Sequence, residues 1–160
     1  MKKVLVRART EESIEEIWDV IIDIKNWDKL IKFVRKIEIK DTPQKNTKFF
    51  DVTEILWIPT KIKHTILDIQ KYKHFKMEAY MPLNSGIMYQ EIIIEDKGKF
   101  SEVTIEISFK IYSALLDFIF SPILKMRLKI MVIETLLKLQ QNLNEKNSKR
   151  GIIKKSQIIT

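Results

Sequence analysis

The chain has 160 residues, with no cysteine, two histidines, three glycines and a formal charge of +8 from 29 basic and 21 acidic side chains. That length fits one domain with a sizeable core. The composition excludes disulfide staples, cysteine-ligated zinc, iron–sulfur clusters and cysteine nucleophiles, and makes a histidine-rich metal site or a glycine-rich phosphate loop improbable.

The N-terminus carries only Val4, Leu5 and Val6 between Lys3 and Arg7, so it does not read as a signal peptide. Val4 to Arg9 is a short β-prone run. Thr10 to Ser13 then supplies turn and cap residues, and Ser13 with Glu16 three positions later fits a capping box. Ile14, Ile17, Trp18 and Ile21 follow at helical spacing, which predicts an amphipathic helix of about ten residues. Asn26 to Leu30 reads as a second, shorter helix.

From Phe33 onward the period changes to two. Six strands are predicted: Val34 to Lys40, Lys48 to Trp57, Lys61 to Ile69, His74 to Met81, Ile87 to Glu95 and Phe100 to Ile111. Turn residues separate them at Asp41 to Asn46, around Pro59, at Gln70 to Lys73, at Pro82 to Gly86 and at Asp96 to Lys99. With the N-terminal run this makes seven strands, mostly joined by short antiparallel connections. The chain then returns to helix. Tyr112 to Phe120 is short and apolar, Ser121-Pro122 is a helix-start signal, and a long helix runs on to about Asn144, with a break or bend expected near Pro122. Asp117, Lys125, Arg127 and Lys129 interrupt the apolar stretch, so it falls short of a membrane span.

Along this helix Leu116, Ile119, Ile123, Met126, Ile130, Ile133 and Leu137 step by three and four, and Leu124, Leu128, Met131, Leu136 and Leu139 widen the stripe. Such a stripe suits either a coiled coil or a helix laid against a sheet. The second reading is more economical, because the strands present an apolar face that needs a cover. After the helix, Lys146, Lys149, Arg150, Lys154 and Lys155 cluster near Ser148 and Gly151, which reads as a basic, flexible tail over 147–160 beyond a domain of residues 1–146.

The stretch from Thr10 to Val20, continuing from Asp23 to Glu38, resembles the opening of the START-like helix-grip superfamily. That superfamily includes the polyketide cyclase/dehydrase and lipid-transport group and the birch-pollen-allergen-like proteins. The shared features are a helix bearing Trp18, an aspartate at Asp23, a short second helix bearing Trp27, and then a strand. The resemblance spans roughly Val4 to Leu143. It implies an α+β helix-grip fold: a seven-stranded curved antiparallel sheet, two short helices, and a long C-terminal helix over a cavity. It implies a turn role for Asp23. It leaves function open, since the superfamily hosts carriers, receptors, cyclases and hydrolases. The two tryptophans read as core residues that wedge one end of the sheet.

Strand alternation points Met77 inward with Phe75 and Ala79, Met88 and Gln90 inward with Ile92, and His64 inward with Ile62 and Ile66. Gln90 and His64 are the polar exceptions in apolar rows, and a buried polar group must find a partner in protein, water or ligand. Methionine suits a deformable apolar wall, and Met126 and Ile130 on the long helix are expected to face the same space. The candidate ligand-binding residues are therefore His64, Met77, Met88, Gln90, Met126 and Ile130. His64 has the reference pKa of a general base, yet no acid is evidently placed beside it, and Asp51 and Glu54 fall on opposite faces of their strand. No catalytic residue, metal ligand or cofactor motif is assigned.

The reading that follows is intracellular, cytoplasmic binding or transport of a small hydrophobic ligand: a lipid, an isoprenoid or an aromatic molecule. The alternatives are a cyclase/dehydrase-like enzyme acting on an aromatic or polyketide-type substrate, and a basic module that binds a protein, a ribosome or an anionic membrane through its tail.

Overall fold

A computed structural model of the chain describes residues 1–55, 58–148 and 156–159. Strand β1 (Lys2–Thr10) alternates buried Val4, Val6 and Ala8 with exposed Lys3, Leu5 and Arg7. Ser13 then caps α1 (Ile14–Ile22), its hydroxyl accepting the Glu16 amide at 3.3 Å, as the capping box requires. Ile17, Trp18 and Ile21 form the buried face of α1. The helix stops at Asp23, whose carboxylate accepts the Asn26 side-chain amide at 2.8 Å, and one tight turn (Ile24–Asn26) leads into α2 (Trp27–Leu30).

Trp27 anchors this region. Its indole N–H donates to the Ile21 carbonyl at 3.0 Å, and its ring meets Phe49 and Phe75 edge-on, with centroids 6.1 and 5.7 Å apart. Trp18 meets Tyr72, in the turn after β4, in the same manner at 6.3 Å. The two short helices thus close the end of the sheet at which β4 turns into β5, as the aromatic content of this segment implies.

The remaining strands are β2 (Val34–Glu38), β3 (Lys48–Ile55), β4 (Ile58–Gln70), β5 (His74–Tyr80), β6 (Gly86–Asp96), β7 (Ser101–Ile111) and β8 (Ser156–Ile159). They form one antiparallel sheet in the order β2-β3-β4-β5-β6-β7-β1-β8. Gly86 permits the close approach of β6 to β7: a Cβ there would collide with the Lys110 carbonyl and with the Met81 sulfur. The long helix α3 (Ala114–Ser148) lies against the sheet, burying Leu128, Val132, Leu136, Leu139 and Leu143.

Three features differ from the sequence reading. Among the described residues the sheet has eight strands rather than seven. Ser156–Ile159 pair with β1, which would otherwise be a free edge, and Ile158 packs on the core. Residues 149–155, which hold most of the expected basic tail, lie outside the described residues, as does Trp57. Pro59 does not mark a turn but sits in β4 opposite Glu54. The helix does not break at Pro122. It begins earlier, with the Ser113 carbonyl accepting the Asp117 amide at 2.8 Å, and runs through the proline. Pro122 is exposed, so the Phe118 carbonyl that loses its intrahelical donor lies on the solvent side, where water can satisfy it.

A buried Asp–His pair as the candidate functional site

The inner face of the sheet is built from two neighbouring rows. Phe49, His64, Ala79, Met88 and Phe109 are paired in succession across β3, β4, β5, β6 and β7. Ile66, Met77, Gln90, Ile107 and Val4 form the next row. The strand residues singled out from sequence, His64, Met77, Met88 and Gln90, therefore share one face. His64 and Met77 are 3% exposed, while Met88 and Gln90 are half-buried. His64 and Gln90 have β5 between them, a separation of about 10 Å across the sheet, which is too far for direct contact.

Met126 and Ile130 do not face this space. They are 59% and 44% exposed, on the side of α3 turned away from the sheet. Two apolar stripes compete for the sheet on this helix, and the winner is the one that stays apolar to the end. The buried stripe continues to Leu139 and Leu143. The stripe containing Met126 and Ile130 runs out into Gln140 and exposed Asn144, which could not cover the core beneath the C-terminal turns.

The polar centre of this inner face is a pair that sequence reasoning did not assemble. His64 Nε2 lies 2.8 Å from Asp51 Oδ2, and both residues are more than nine-tenths buried. The other Asp51 oxygen accepts the Thr53 hydroxyl at 3.0 Å. Phe49 stacks on the imidazole, with centroids 4.7 Å apart and planes 10° from parallel. The ring is thus fixed in plane by an aromatic neighbour and in rotation by a carboxylate. In the neutral imidazole, Asp51 holds the proton on Nε2 and leaves the Nδ1 lone pair as an acceptor. That Nδ1 is buried and has no hydrogen-bond partner among the described residues. A signal for Asp51 was present in the alternation that turns Phe49 inward, since Asp51 lies two positions further along the same face. Its partner emerges only with the β3–β4 register. Glu54 points the other way and pairs with Arg35, as the strand parity implies.

The second histidine is structural. On the outer face His74 bridges two carboxylates, with Nδ1 at 3.0 Å from Asp68 and Nε2 at 2.6 Å from Glu91. Burial alone would raise the Glu91 pKa, but His74 and Lys76 together hold it below the usual carboxylate range. Asp68 is lowered by the Gln70 side-chain amide and by His74. A shallow depression of about 260 Å³ beside this cluster is lined by Met1, Lys76, Tyr89, Glu91, Glu106 and Ser108. It lies on the outer face of the sheet, away from Asp51 and His64. Among the described residues no group of three or more histidine and acidic side chains is placed to hold a metal ion, and no helix is long and apolar enough to cross a membrane.

No protein-family model matches the sequence, and no curated protein does either. Solved structures do match the fold. The di-domain ARO/CYC StfQ from the steffimycin biosynthetic pathway superposes with a TM-score of 0.77 at 8% identity, covering 91% of this chain and 51% of that protein. A START superfamily protein from Mycobacterium smegmatis gives 0.68 at 12% identity over 90% of this chain and 97% of its own. Ara h 8.0201 gives 0.62 at 12% identity over 87% and 98%. The chain spans about half the length of the di-domain protein and nearly all of the other two. It has the START-like, birch-pollen-allergen-like helix-grip fold.

Proposed function

We propose that a chain with this helix-grip fold binds a small, mainly apolar molecule in a groove between sheet and α3, and that His64 is its polar anchor. The observation that carries this reading is the open Nδ1 of His64, buried in an apolar row and held in place by Asp51. A buried acceptor without a partner is unfavourable by about 1–3 kcal/mol. A ligand hydroxyl supplied from within the groove removes that penalty and gains a directed contact. Phe49, Met77 and Met88 furnish aromatic and deformable apolar surface for the rest of the molecule. The preferred ligand is therefore a hydroxylated lipid or aromatic compound.

One observation favours a second reading, a cyclase-like enzyme. Asp51, His64 and the open Nδ1 are the components of a general base with an orienting carboxylate. In that case the hydroxyl that docks on Nδ1 gives up its proton during reaction.

Titration calorimetry with 2-naphthol and naphthalene tests the binding reading. The two probes share shape and differ by one hydroxyl. The expected result is that 2-naphthol binds about tenfold or more tightly, the worth of one good hydrogen bond at a buried site, and that the preference disappears in the D51L/H64L variant. Equal affinities, or no binding of either probe, would refute the proposal.

A further inference from the structure

α3 is apolar on two opposite sides. One is buried against the sheet. The other carries Leu116, Ile119, Ile123, Met126, Ile130 and Leu137, each between 38% and 59% exposed, while Ile133, in step with them, is partly buried and packs on the core. These positions advance by three, four, three, four, three and four residues. That is the 3.5-residue period of a coiled-coil seam held over three heptads, with Leu116, Ile123, Ile130 and Leu137 at a and Ile119, Met126 and Ile133 at d. A helix whose only task is to cover a sheet carries polar residues on this side, as α3 does further on at Gln140 and exposed Asn144. One stripe thus covers the sheet, and the other is left without a covering element among the described residues.

We propose that this face pairs, in parallel, with the same face of a second copy of the chain. Three properties of the face select that occupant. The first is period: a 3.5-residue spacing is self-complementary between two helices, whereas a bilayer draws on apolar area and has no use for heptad register. The second is area. At roughly 200 Å² for a fully exposed large side chain, the six exposed residues offer on the order of 500 Å² per copy. Two copies then bury on the order of 1,000 Å², the size at which specific interfaces begin. The third is charge. Lys129 stands at g and Glu134 at the following e, and in a parallel pair each g residue faces the e residue five positions on in the other helix. Lys129 of each copy therefore meets Glu134 of the other. Glu134 also holds Lys32 at 2.8 Å through Oε1, and its side chain is 28% exposed. An antiparallel pair would instead set Lys129 against Lys129.

The absence of native cysteine makes the test clean. Light scattering behind size-exclusion chromatography is expected to return twice the 19.1 kDa chain mass. The I123K/I130K variant should return the single mass, with circular dichroism and melting preserved because both side chains are exposed. A Met126→Cys variant, whose thiols meet at a d layer only in the parallel pair, should oxidise to a covalent dimer. Should I123K/I130K fail to fold, Lys129→Glu is expected to weaken the dimer several-fold and K129E/E134K to restore it. A monomeric wild type, a dimer indifferent to the seam variants, or a dimer that does not cross-link at position 126 would each overturn the proposal. So would a monomer that sediments with phosphatidylglycerol vesicles through this face, since its occupant would then be a bilayer.

Discussion

His64 has one ring nitrogen committed to Asp51 and one left open inside the protein, and the stability of the fold depends on the two residues remaining matched. His64→Leu alone leaves the Asp51 carboxylate buried with only the Thr53 hydroxyl, and is expected to destabilise the fold by about 3 kcal/mol. Adding Asp51→Leu removes the orphaned charge and is expected to recover most of that loss. Denaturant melts of the two variants check this, and a double variant less stable than the single one contradicts it. The residue-level reading from sequence was uneven for a physical reason. Strand parity is a local property, so the inward direction of His64, Met77, Met88 and Gln90 could be read from alternation. The Asp51 contact joins residues thirteen apart across the β3–β4 hairpin, and the turn expected around Pro59 falls instead between Ile55 and Ile58, which changes which residues of the two strands lie side by side.

At the level of elements, the antiparallel edge formed by β2, β3 and β4 is tied by charge on its surface. Glu38 accepts from Lys61 at 2.6 Å and from Lys36 at 2.9 Å, and these contacts hold its pKa at about 2, against an ordinary value of 4.5. A carboxylate lowered on folding contributes stability above its unfolded value and loses it as pH falls toward the folded one. Glu38→Gln is therefore expected to be slightly less stable than wild type at pH 7, with the difference vanishing between pH 4.5 and 2 and shrinking in high salt. Urea melts across that range test it; a difference that persists at pH 2 and in high salt contradicts it. Among the helices, the capping box at Ser13 and Glu16 was legible because capping is local chemistry. The orientation of α3 was not. Its two apolar stripes are equally regular where they begin, and only the fate of each stripe at the far end, Leu143 against Asn144, decides which one meets the core.

For the whole molecule, helices α1 and α2 close one end of the sheet while α3 spans its inner face. The architecture persists against structures at 8–12% identity because it requires a pattern rather than particular residues. In this chain the pattern is alternating strands, two tryptophans at the closed end and one long amphipathic helix, all of which could be read from the sequence. The eighth strand could not, since Ser156–Ile159 gain their partner only when β1 is found at the sheet edge. The central claim joins fold to function at one atom, and nitrogen NMR of the imidazoles, recorded while 2-naphthol is added, measures that atom directly. The Nδ1 resonance of His64 is expected to move from the free-acceptor position toward the hydrogen-bonded one as the probe saturates, while both nitrogens of His74 stay still. A His64 Nδ1 resonance unchanged at saturation would contradict it.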